Sequence, residues 1–477
     1  MECPRDPWFE KPMHIPPQRV GGARASEPTR DRARRSSRDI EGWLNAEFLQ
    51  SQLQVKRIAF HESGEWQWDE RGFWTHVTGR FFNVAGVRYF SVAQGKVRTQ
   101  PIIDQSEIGL LSFLVLKQND EWWILGHAKV EPGNVHGAQL APTVQATRSN
   151  YEVVHGGADT PYLGLAQSAA RSLCNLLQSE QNSRFLAKRN RNNVVLLSEG
   201  VEELDSRFKW MRVTELLALL GESHTVNTDA RSVLACWLFT DVSALRECLA
   251  GKGPLAAKLI SSMESKKTVH SGKTLEDWLG VLDRTWRTNT ETLSLRNLED
   301  SWQCGESEIS SPDDPSLTIY QIAVRCARRE VTHWDQPIAG SGTRACLMLL
   351  IGDFEGTLHV LLQAALEAGN RGGFELTTTV QAESCGRVSP HEERYLRMAE
   401  TSGRTLFRFQ NSEEGGRFDH CISEYQVVWI EAVAKEQEGP FHRWVSLAQL
   451  AHFLRRENRV TNELRSAISS LLSIDHA

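Results

Sequence analysis

An internal repeat divides this chain into two related halves. Residues 100–146 match residues 336–382 at a constant spacing of 236, and 16 of the 47 aligned positions are identical without a gap. Two further pairs of segments repeat at nearly the same spacing: 178–185 with 411–418, and 210–213 with 444–447. Solenoid units have periods of roughly 20–50 residues. A repeat this long therefore indicates a duplicated domain in which each copy has its own core.

Composition narrows the class of protein. The 477 residues carry a net charge of −6, which argues against a general polyanion binder. Nine cysteines are scattered without a C-x-x-C pair, which is typical of free thiols in a reducing compartment. The sequence contains neither an apolar run of about 18 residues nor the apolar segment of a signal peptide. We therefore expect a cytoplasmic protein without membrane or nucleic-acid partners.

The domain boundaries follow from the repeat and from local composition. Residues 1–38 contain six of the sixteen prolines and nine Lys or Arg, and they predict a disordered arm. A nucleic-acid role for the basic segment 32–38 is the alternative interpretation. We then expect a first repeat at 39–250, a helical connector at 251–300 and a second repeat at 301–477.

Within each half, strands are predicted first and helices after them. Alternating and apolar runs predict strands at 108–116, 122–130 and 139–147, and at 346–351, 357–366 and 375–383. Leucine-rich helical patterns follow at 213–220 and 447–454, and a capping box at 274–277 predicts a helix to about residue 286. The fold class expected is α+β, with a curved, mainly antiparallel sheet and flanking helices in each copy, and a pseudo-twofold between copies.

A dense polar segment follows the third predicted strand of the first copy. Residues 143–151 read Thr-Val-Gln-Ala-Thr-Arg-Ser-Asn-Tyr, with seven hydrogen-bonding side chains that are costly to bury without partners. The second copy repeats Thr-Val-Gln-Ala and then diverges. Two interpretations stand at this point: a ligand-binding edge, or a polar strand end with a turn.

Positive charge is concentrated in the first copy. Arg184 has a counterpart in Arg417, but the positions of Lys188, Arg189 and Arg191 hold Cys, Ile and Glu in the second copy. A diphosphate is the simplest ligand for such a cluster, because guanidinium groups match phosphate oxygens. A solvated charged face is the alternative. The second copy offers Glu-Glu-Gly-Gly-Arg-Phe at 413–418, whose glycines permit close backbone approach to a ligand.

Common catalytic motifs are absent from the sequence. It contains no P-loop, no G-x-G-x-x-G after a strand, no H-E-x-x-H and no G-x-S-x-G. The histidines are dispersed, so no metal site is indicated. We expect acid–base chemistry by ordinary side chains, without a cofactor.

These motifs closely resemble those of the NDP-hexose 2,3-dehydratases of deoxysugar biosynthesis in antibiotic-producing bacteria. The resemblance covers nearly everything after residue 40 and is carried by 131–134, 143–151, 178–185, 188–192 and 413–418. It implies two Nudix-like domains, a homodimer, and removal of water from a dTDP-4-keto-6-deoxyhexose to give a 3,4-diketo-2,6-dideoxy sugar for a 3-ketoreductase. The Nudix catalytic box is missing from both copies, so pyrophosphate hydrolysis is not expected.

The implied reaction needs a base for the C3 proton, an acid for the 2-hydroxyl and donors aimed at the C4 oxygen. His127, Lys129 and Glu131 are the catalytic candidates, and Glu180 and Tyr151 lie near the same motifs. His127 has a suitable ordinary pKa but is equally compatible with a structural role on its strand. The candidate substrate-binding residues are Trp66, Thr147, Arg148, Ser149, Asn150, Tyr151, Ser183, Arg184, Lys188, Trp302, Glu414, Gly415, Gly416 and Arg417.

Trp66 and Trp302 occupy equivalent positions at the same spacing as the repeat. Each tryptophan is expected either to stack on a thymine or sugar ring or to pack in a core. Two other functions remain open on the sequence. A non-catalytic nucleotide-sugar-binding protein would keep the positive cluster without turnover, and a Nudix-type hydrolase would need a carboxylate helix that the sequence lacks.

Overall fold

A computed structural model describes residues 37–92, 94–147, 159–168, 171–286, 290–329, 331–384, 388–431 and 433–473. The arm predicted for residues 1–38 lies almost entirely outside these ranges. The helices are α1 (Ser37–Ser51), α2 (Leu163–Ala166), α3 (Val213–Ala218), α4 (Thr228–Leu238), α5 (Val242–Leu249), α6 (Pro254–Glu264), α7 (Gly272–Thr285), α8 (Pro390–Ser402), α9 (Leu447–Leu454) and α10 (Asn462–Ser469).

The strands belong to four sheets. In chain order they are β1 (Gln54–Ile58), β2 (Trp66–Trp68), β3 (Trp74–His76), β4 (Asn83–Ser91), β5 (Lys96–Asp104), β6 (Gly109–Gln118), β7 (Glu121–Val130), β8 (Ala138–Ala141), β9 (Val144–Ala146), β10 (Ser172–Ser179), β11 (Arg189–Leu197), β12 (Phe208–Arg212), β13 (Glu291–Leu293), β14 (Gln303–Cys304), β15 (Glu308–Ser310), β16 (Thr318–Arg325), β17 (His333–Gly340), β18 (Ala345–Phe354), β19 (Thr357–Ala365), β20 (Glu375–Thr377), β21 (Val380–Ala382), β22 (Gly403–Ser412), β23 (Phe418–Asp419), β24 (Ile422–Ile430) and β25 (His442–Ser446). The α+β class is confirmed.

The two seven-stranded sheets have the same strand order. In the first half, β10, β11, β6 and β7 lie side by side, with β8 and β12 on β7 and β9 on β6. In the second half, β22, β24, β18 and β19 lie side by side, with β20 and β25 on β19 and β21 on β18. In each sheet a single pair, β11 with β6 or β24 with β18, is parallel. The central strand β6 is buried almost throughout, as its continuous apolar sequence requires.

The repeated Thr-Val-Gln-Ala segment lies where two strands diverge. The predicted single strand 139–147 is wrong, because the chain pairs with β7 through β8 and then crosses to β6 through β9. Thr143 lies where these strands diverge. Its hydroxyl accepts a hydrogen bond from the Leu114 amide at 3.1 Å and donates one to the Leu125 carbonyl. Thr379 makes the same two bonds in the second half. The threonine therefore satisfies backbone groups that the diverging strands leave unpaired.

The two small sheets exchange their first strands. Strand β1 lies at the start of the first half but pairs with β16 of the second, and β13 lies at the start of the second half but pairs with β4 of the first. The small sheets together enclose an aromatic cluster that contains Trp66, Trp302, Phe185 and Phe418. The two halves are consequently interleaved.

Two buried helices meet at the centre of the molecule. Helix α4 is buried at every position and packs on α10, its counterpart in the second half. Asn227 caps α4 by accepting from the Ala230 amide at 2.8 Å, and Thr461 caps α10 in the same way. Each cap places an acidic residue, Asp229 or Glu463, in the first helical turn.

The predicted helices are present with shifted ends. The helix predicted from residue 274 begins at Gly272, because Ser271 is its N-cap and accepts from the Thr274 amide at 3.1 Å. The predicted helix at 447–454 is confirmed, and the one at 213–220 consists of α3 followed by a 3-10 turn.

Candidate functional site

Two pockets lie at equivalent positions in the two halves. The first pocket has a volume of about 240 Å³ and opens beside β7, β9 and β11. The second pocket has a volume of about 90 Å³ and opens beside β18, β21 and β24 of the second half. Each pocket also receives one turn from the other half. Residues 414–417 contribute to the first pocket, and residues 181–184 contribute to the second.

Glycines let these turns interlock. The Gly133 amide donates to the Gly415 carbonyl at 2.8 Å, and the Gly133 carbonyl accepts from the His420 amide at 3.0 Å. A Cβ on Gly133 would lie 1.8 Å from the Phe418 carbonyl oxygen. Gly369 makes the equivalent contacts with the other turn, and a Cβ there would lie 1.8 Å from the Phe185 oxygen. Both turns therefore require glycine for close backbone approach.

Both pockets contain the same frame of acidic residues. In the first pocket these are Glu131, Glu180 and Asp229, which are 3%, 3% and 2% exposed. The second pocket has carboxylates at the same three positions, namely Glu367, Glu413 and Glu463. Amide groups hold Glu180: Asn190 donates to Oε1 at 2.8 Å and Asn462 donates to Oε2 at 3.0 Å.

The pockets differ at three positions that bear chemistry. Lys129, Lys188 and Glu414 of the first pocket are replaced in the second half by Ala365, Cys421 and Gln181. Lys129 Nζ lies 3.0 Å from Glu131 Oε1, and both side chains are buried. Lys188 donates to the Glu107 carbonyl at 2.5 Å. Proton-transfer and charge-stabilising groups are thus concentrated in the first pocket.

Burial separates the pKa values of the acidic groups in the first pocket. Burial alone would raise the pKa of Glu131, but Lys129 and Arg329 outweigh it and hold that pKa below its ordinary value. Burial and the neighbouring Glu131 raise the pKa of Glu414 to about 8. Burial also raises the pKa of Glu180 to about 7. Carboxyl groups with pKa values pushed apart are suited to separate acid and base roles.

Two further buried groups of the first pocket, Lys188 and Asp229, have pKa values shifted toward their neutral forms. Burial and Arg417 lower the pKa of Lys188 to about 8. Burial and Glu180 raise the pKa of Asp229 well above its ordinary value. One oxygen of Asp229 has no hydrogen-bond partner among the described residues, and sequence reasoning missed this side chain. The only signal was that an acidic residue recurs at the equivalent position of the second half, as Glu463.

His127 lies on the wall of the first pocket. Its ring stacks on Phe208 with 4.6 Å between ring centres. Burial and the nearby Lys129 lower its pKa well below the ordinary value. The imidazole is therefore neutral, and a neutral ring with so low a pKa is a weak base.

Trp66 and Thr147 line the first pocket, as do Gly416 and Arg417. Gly415 supports the turn through its carbonyl. Trp302 lines neither pocket, and its indole donates to the Thr99 carbonyl at 2.8 Å inside the aromatic cluster. Trp66 also donates from its indole, to the Asp335 carbonyl at 2.9 Å. Of the two equivalent tryptophans, Trp66 lines the first pocket and Trp302 packs in the aromatic cluster.

The predicted positive cluster is divided between several places. Ser183 and Arg184 line the second pocket, where Arg184 donates to the Ser316 carbonyl at 3.0 Å. Arg189 pairs with Glu457 at 3.6 Å and Arg191 donates to Asn175, and neither lines the first or the second pocket. Of Arg184, Lys188, Arg189 and Arg191, Lys188 alone reaches the first pocket. Arg148, Ser149, Asn150 and Tyr151 lie outside the described residues.

Over the described ranges, no group of three or more His, Cys, Asp or Glu is arranged to hold a metal ion. Within those same ranges, no helix combines the length and apolar character needed to cross a membrane.

Known proteins resemble this chain over most of its length. Proteins named dTDP-4-dehydro-6-deoxy-alpha-D-glucopyranose 2,3-dehydratase occur in Saccharopolyspora spinosa (32% identity; 91% of this chain and 90% of the relative), Amycolatopsis orientalis (30%; 94% and 92%) and Streptomyces violaceoruber (31%; 92% and 97%). Among solved structures, an ADP compounds hydrolase aligns with 33% of this chain and 84% of its own, at 13% identity and a TM-score of 0.21, too low to assign a fold. The family model for NDP-hexose 2,3-dehydratase matches residues 37–237 and 272–471. The chain belongs to the NDP-hexose 2,3-dehydratase family.

Proposed function

We propose that this protein is a hydro-lyase that converts dTDP-4-keto-6-deoxyglucose to the 3,4-diketo-2,6-dideoxy sugar nucleotide in deoxysugar biosynthesis. The names of its relatives support the substrate class. The observation that carries the proposal is the contrast between the pockets. The first adds Lys129, Lys188 and Glu414 to an acidic frame that both pockets share.

The C4 ketone makes this reaction accessible to acid–base groups. It acidifies the C3 proton, and the 2-hydroxyl lies β to the ketone. Loss of the C3 proton gives an enolate, and departure of the 2-hydroxyl leaves an enol that tautomerises to the diketone. The protein must therefore supply a base, an acid and a positive group at the C4 oxygen.

Glu131 and Lys129 fit the base and the positive group. Lys129 keeps Glu131 ionised, so the carboxylate is available to accept the C3 proton. The ammonium group of Lys129 stabilises the negative charge that develops on the C4 oxygen. We assign His127 to the same site as a neutral hydrogen-bonding group, because its lowered pKa keeps the imidazole uncharged.

The diphosphate is assigned to the cationic side of the first pocket, at Lys188 and Arg417. Trp66 provides an aromatic surface for the base or sugar. Thr147 and Gly416 extend the proposed binding surface. Arg148, Ser149, Asn150 and Tyr151 stay substrate-binding candidates on the sequence alone. Ser183 and Arg184 are proposed to bind an equivalent ligand group only in the second pocket, where the structure places them.

The test is incubation with dTDP-4-keto-6-deoxyglucose, followed by mass spectrometry. A product lighter by one water is expected, in the presence of a chelator and without nicotinamide or pyridoxal phosphate. Binding without a mass change would support a non-catalytic nucleotide-sugar-binding protein. Release of dTMP would support a Nudix-type hydrolase.

The architecture proposed is two Nudix-like domains related by a pseudo-twofold. Matching strand orders support it. Further support comes from helices α1 and α7, which begin at Ser37 and Gly272 and so are separated by nearly the spacing of the repeat. That spacing suggests that the second copy begins at α7, within the predicted connector 251–300. An experimental structure in which residues 37–237 and 272–471 superpose by a twofold rotation would verify this arrangement.

The assembly and cellular setting are further parts of the proposal. We expect a homodimer, measurable by light scattering, in the cytoplasm. The diketone product would pass to a 3-ketoreductase, because vicinal diketones are reactive. The order of dehydration followed by reduction can be tested by trapping the products. The diketone should be trapped without a reductase, and the hydroxy ketone should be recovered when a reductase is present.

A further inference from the structure

We propose that Glu414, a residue of the second half, is the general acid that protonates the departing 2-hydroxyl in the first pocket. This inference rests on the proposed dehydratase function. It assigns a catalytic task to the turn that crosses from one half of the molecule to the other.

Glu414 and Glu131 meet across the interlocked turns. Each carboxyl group shifts the pKa of the other: Glu414 lowers that of Glu131, and Glu131 raises that of Glu414. A Cβ on Gly416 would lie 2.4 Å from Glu414 Oε1 and 3.2 Å from Glu131 Oε1, so both carboxyl groups pack over this glycine. Two carboxyl groups in such contact hold one proton between them, because like charges so close disfavour double ionisation.

The surroundings place that proton on Glu414. Glu131 has Lys129 as an ion-pair partner at 3.0 Å, which favours its ionised form. Glu414 is opposed by further acidic groups, and burial raises its pKa to about 8. The charged groups that face it are Glu131, Asp229, Lys129, Arg417, Glu180 and Lys188. At neutral pH the pair is therefore a carboxylic acid beside a carboxylate.

The second pocket lacks this donor. Gln181 occupies the position equivalent to Glu414, and its amide donates to Glu413. A carboxamide cannot release a proton to a leaving hydroxyl. The same pocket has Ala365 in place of Lys129. The absence of both groups is consistent with proton transfer being confined to the first pocket.

The proton balance closes over one turnover. Glu131 takes the C3 proton, and the C3–H electron pair enters the enolate. The C2–O bond then breaks as Glu414 transfers its proton to the leaving oxygen, which departs as water. Protonated Glu131 returns its proton to C2, and the O3 proton of the enol returns to Glu414.

The experiment separates the two half-reactions. In deuterium oxide, the Glu414→Gln variant should still exchange the C3 proton of dTDP-4-keto-6-deoxyglucose for deuterium. Mass spectrometry of the sugar nucleotide measures this exchange. Its dehydration should fall by about 10²- to 10⁴-fold, the usual contribution of a general acid. Glu131→Gln should lose both exchange and dehydration. If the wild-type chain shows neither exchange nor dehydration, the proposed function itself has failed.

A substrate with a better leaving group provides the second measurement. Fluoride departs with less need for a proton, so Glu414→Gln should eliminate HF from the 2-deoxy-2-fluoro analogue within about tenfold of the wild-type rate. Gln181→Glu in the second pocket is the matched control and should leave turnover unchanged. The assignment would be overturned if Glu414→Gln lost exchange and dehydration equally. It would also be overturned if this variant dehydrated the substrate at the wild-type rate or failed to eliminate fluoride.

Discussion

The ring of Phe185 packs edge-on against the ring of Phe418, its counterpart in the second half, with 5.5 Å between the ring centres. Phe185 and Phe418 are paired by the sequence repeat, so the same position of each half contributes to one contact. Arg184 and Arg417 immediately precede these rings, and each arginine lines the pocket of the other half. The aromatic contact therefore anchors both crossing turns at once.

We expect Gly133→Ala to abolish most of the activity. Its Cβ would lie 1.8 Å from the Phe418 carbonyl oxygen and would push the turn that bears Glu414 out of the first pocket. A misplaced catalytic group costs on the order of 100-fold in kcat. Gly369→Ala is the matched control: it creates the same clash at the second pocket, so it should lower Tm similarly but retain turnover. Equal activity losses would assign both turns to stability alone.

Lys129→Met should lower kcat by about 10²- to 10³-fold, as expected for loss of one group that stabilises an oxyanion. It also removes the ion-pair partner of Glu131, so the pKa of that carboxyl should rise. Steady-state kinetics over a pH range would measure both effects. Ala365→Lys places the same group beside Glu367 in the second pocket and should add no turnover. A normal kcat for Lys129→Met would exclude the proposed role.

Arg417→Ala should raise KM for the sugar nucleotide by about 10- to 150-fold, because a charge-assisted hydrogen bond contributes roughly 1.5–3 kcal/mol. Arg184→Ala is the comparison, since Arg184 is the repeat partner at the second pocket. It should leave KM for turnover nearly unchanged. A larger effect from Arg184 would place the reacting nucleotide in the second pocket.

Stability should fall as pH rises from about 4.5 to about 8. The ordinary pKa of a glutamate is 4.5, but burial raises that of Glu180 to about 7 and that of Glu414 to about 8. In this window the folded chain keeps protons that the unfolded chain has released, so rising pH favours unfolding. Glu180→Gln should flatten the dependence of Tm on pH. The exposed Glu199→Gln should not, and an unchanged slope in Glu180→Gln would contradict the prediction.

Dehydration should survive dialysis against EDTA. The motive is the pairing of two acidic side chains in the first pocket: Glu131 is ion-paired with Lys129, and Glu180 accepts hydrogen bonds from the amides of Asn190 and Asn462. Activity before and after dialysis, with metal content measured by mass spectrometry, would check this. Complete loss that a single divalent ion restores would show that a metal is required.

Local patterns predicted much of the fold but not the exchange between its halves. The runs at 108–116 and 122–130 are strands, because a buried central strand needs a continuous apolar sequence. The pairing of β1 with β16 was not predictable from local sequence, because the sequence of Gln54–Ile58 does not reveal which half supplies its partner strand. Arg184 and Lys188 were predicted to belong to one positive cluster because they lie close together in the sequence. The structure separates them into different pockets.

The site shows the same limit. The repeat drew attention to the segment at 413–418, which contributes residues to the first pocket. Asp229, in contrast, lies far along the chain from Glu131 and has no motif around it. Only the packing of α4 against the sheet brings its first turn to the pocket. By contrast, the repeated Thr143 attracted interest as part of a polar ligand-binding edge. Its hydroxyl is used by the backbone of two diverging strands.

The exchanged strand β1 also has a consequence for biosynthesis. Arg57 of β1 contacts Glu308, 251 residues further along the chain. At a synthesis rate of about 5–20 residues per second, β1 waits roughly 10 to 50 s on the ribosome before its partner strand emerges. During that interval its backbone groups are open to other strands. Slower translation between the halves should therefore lower the yield of native protein, while the mature chain keeps the same stability.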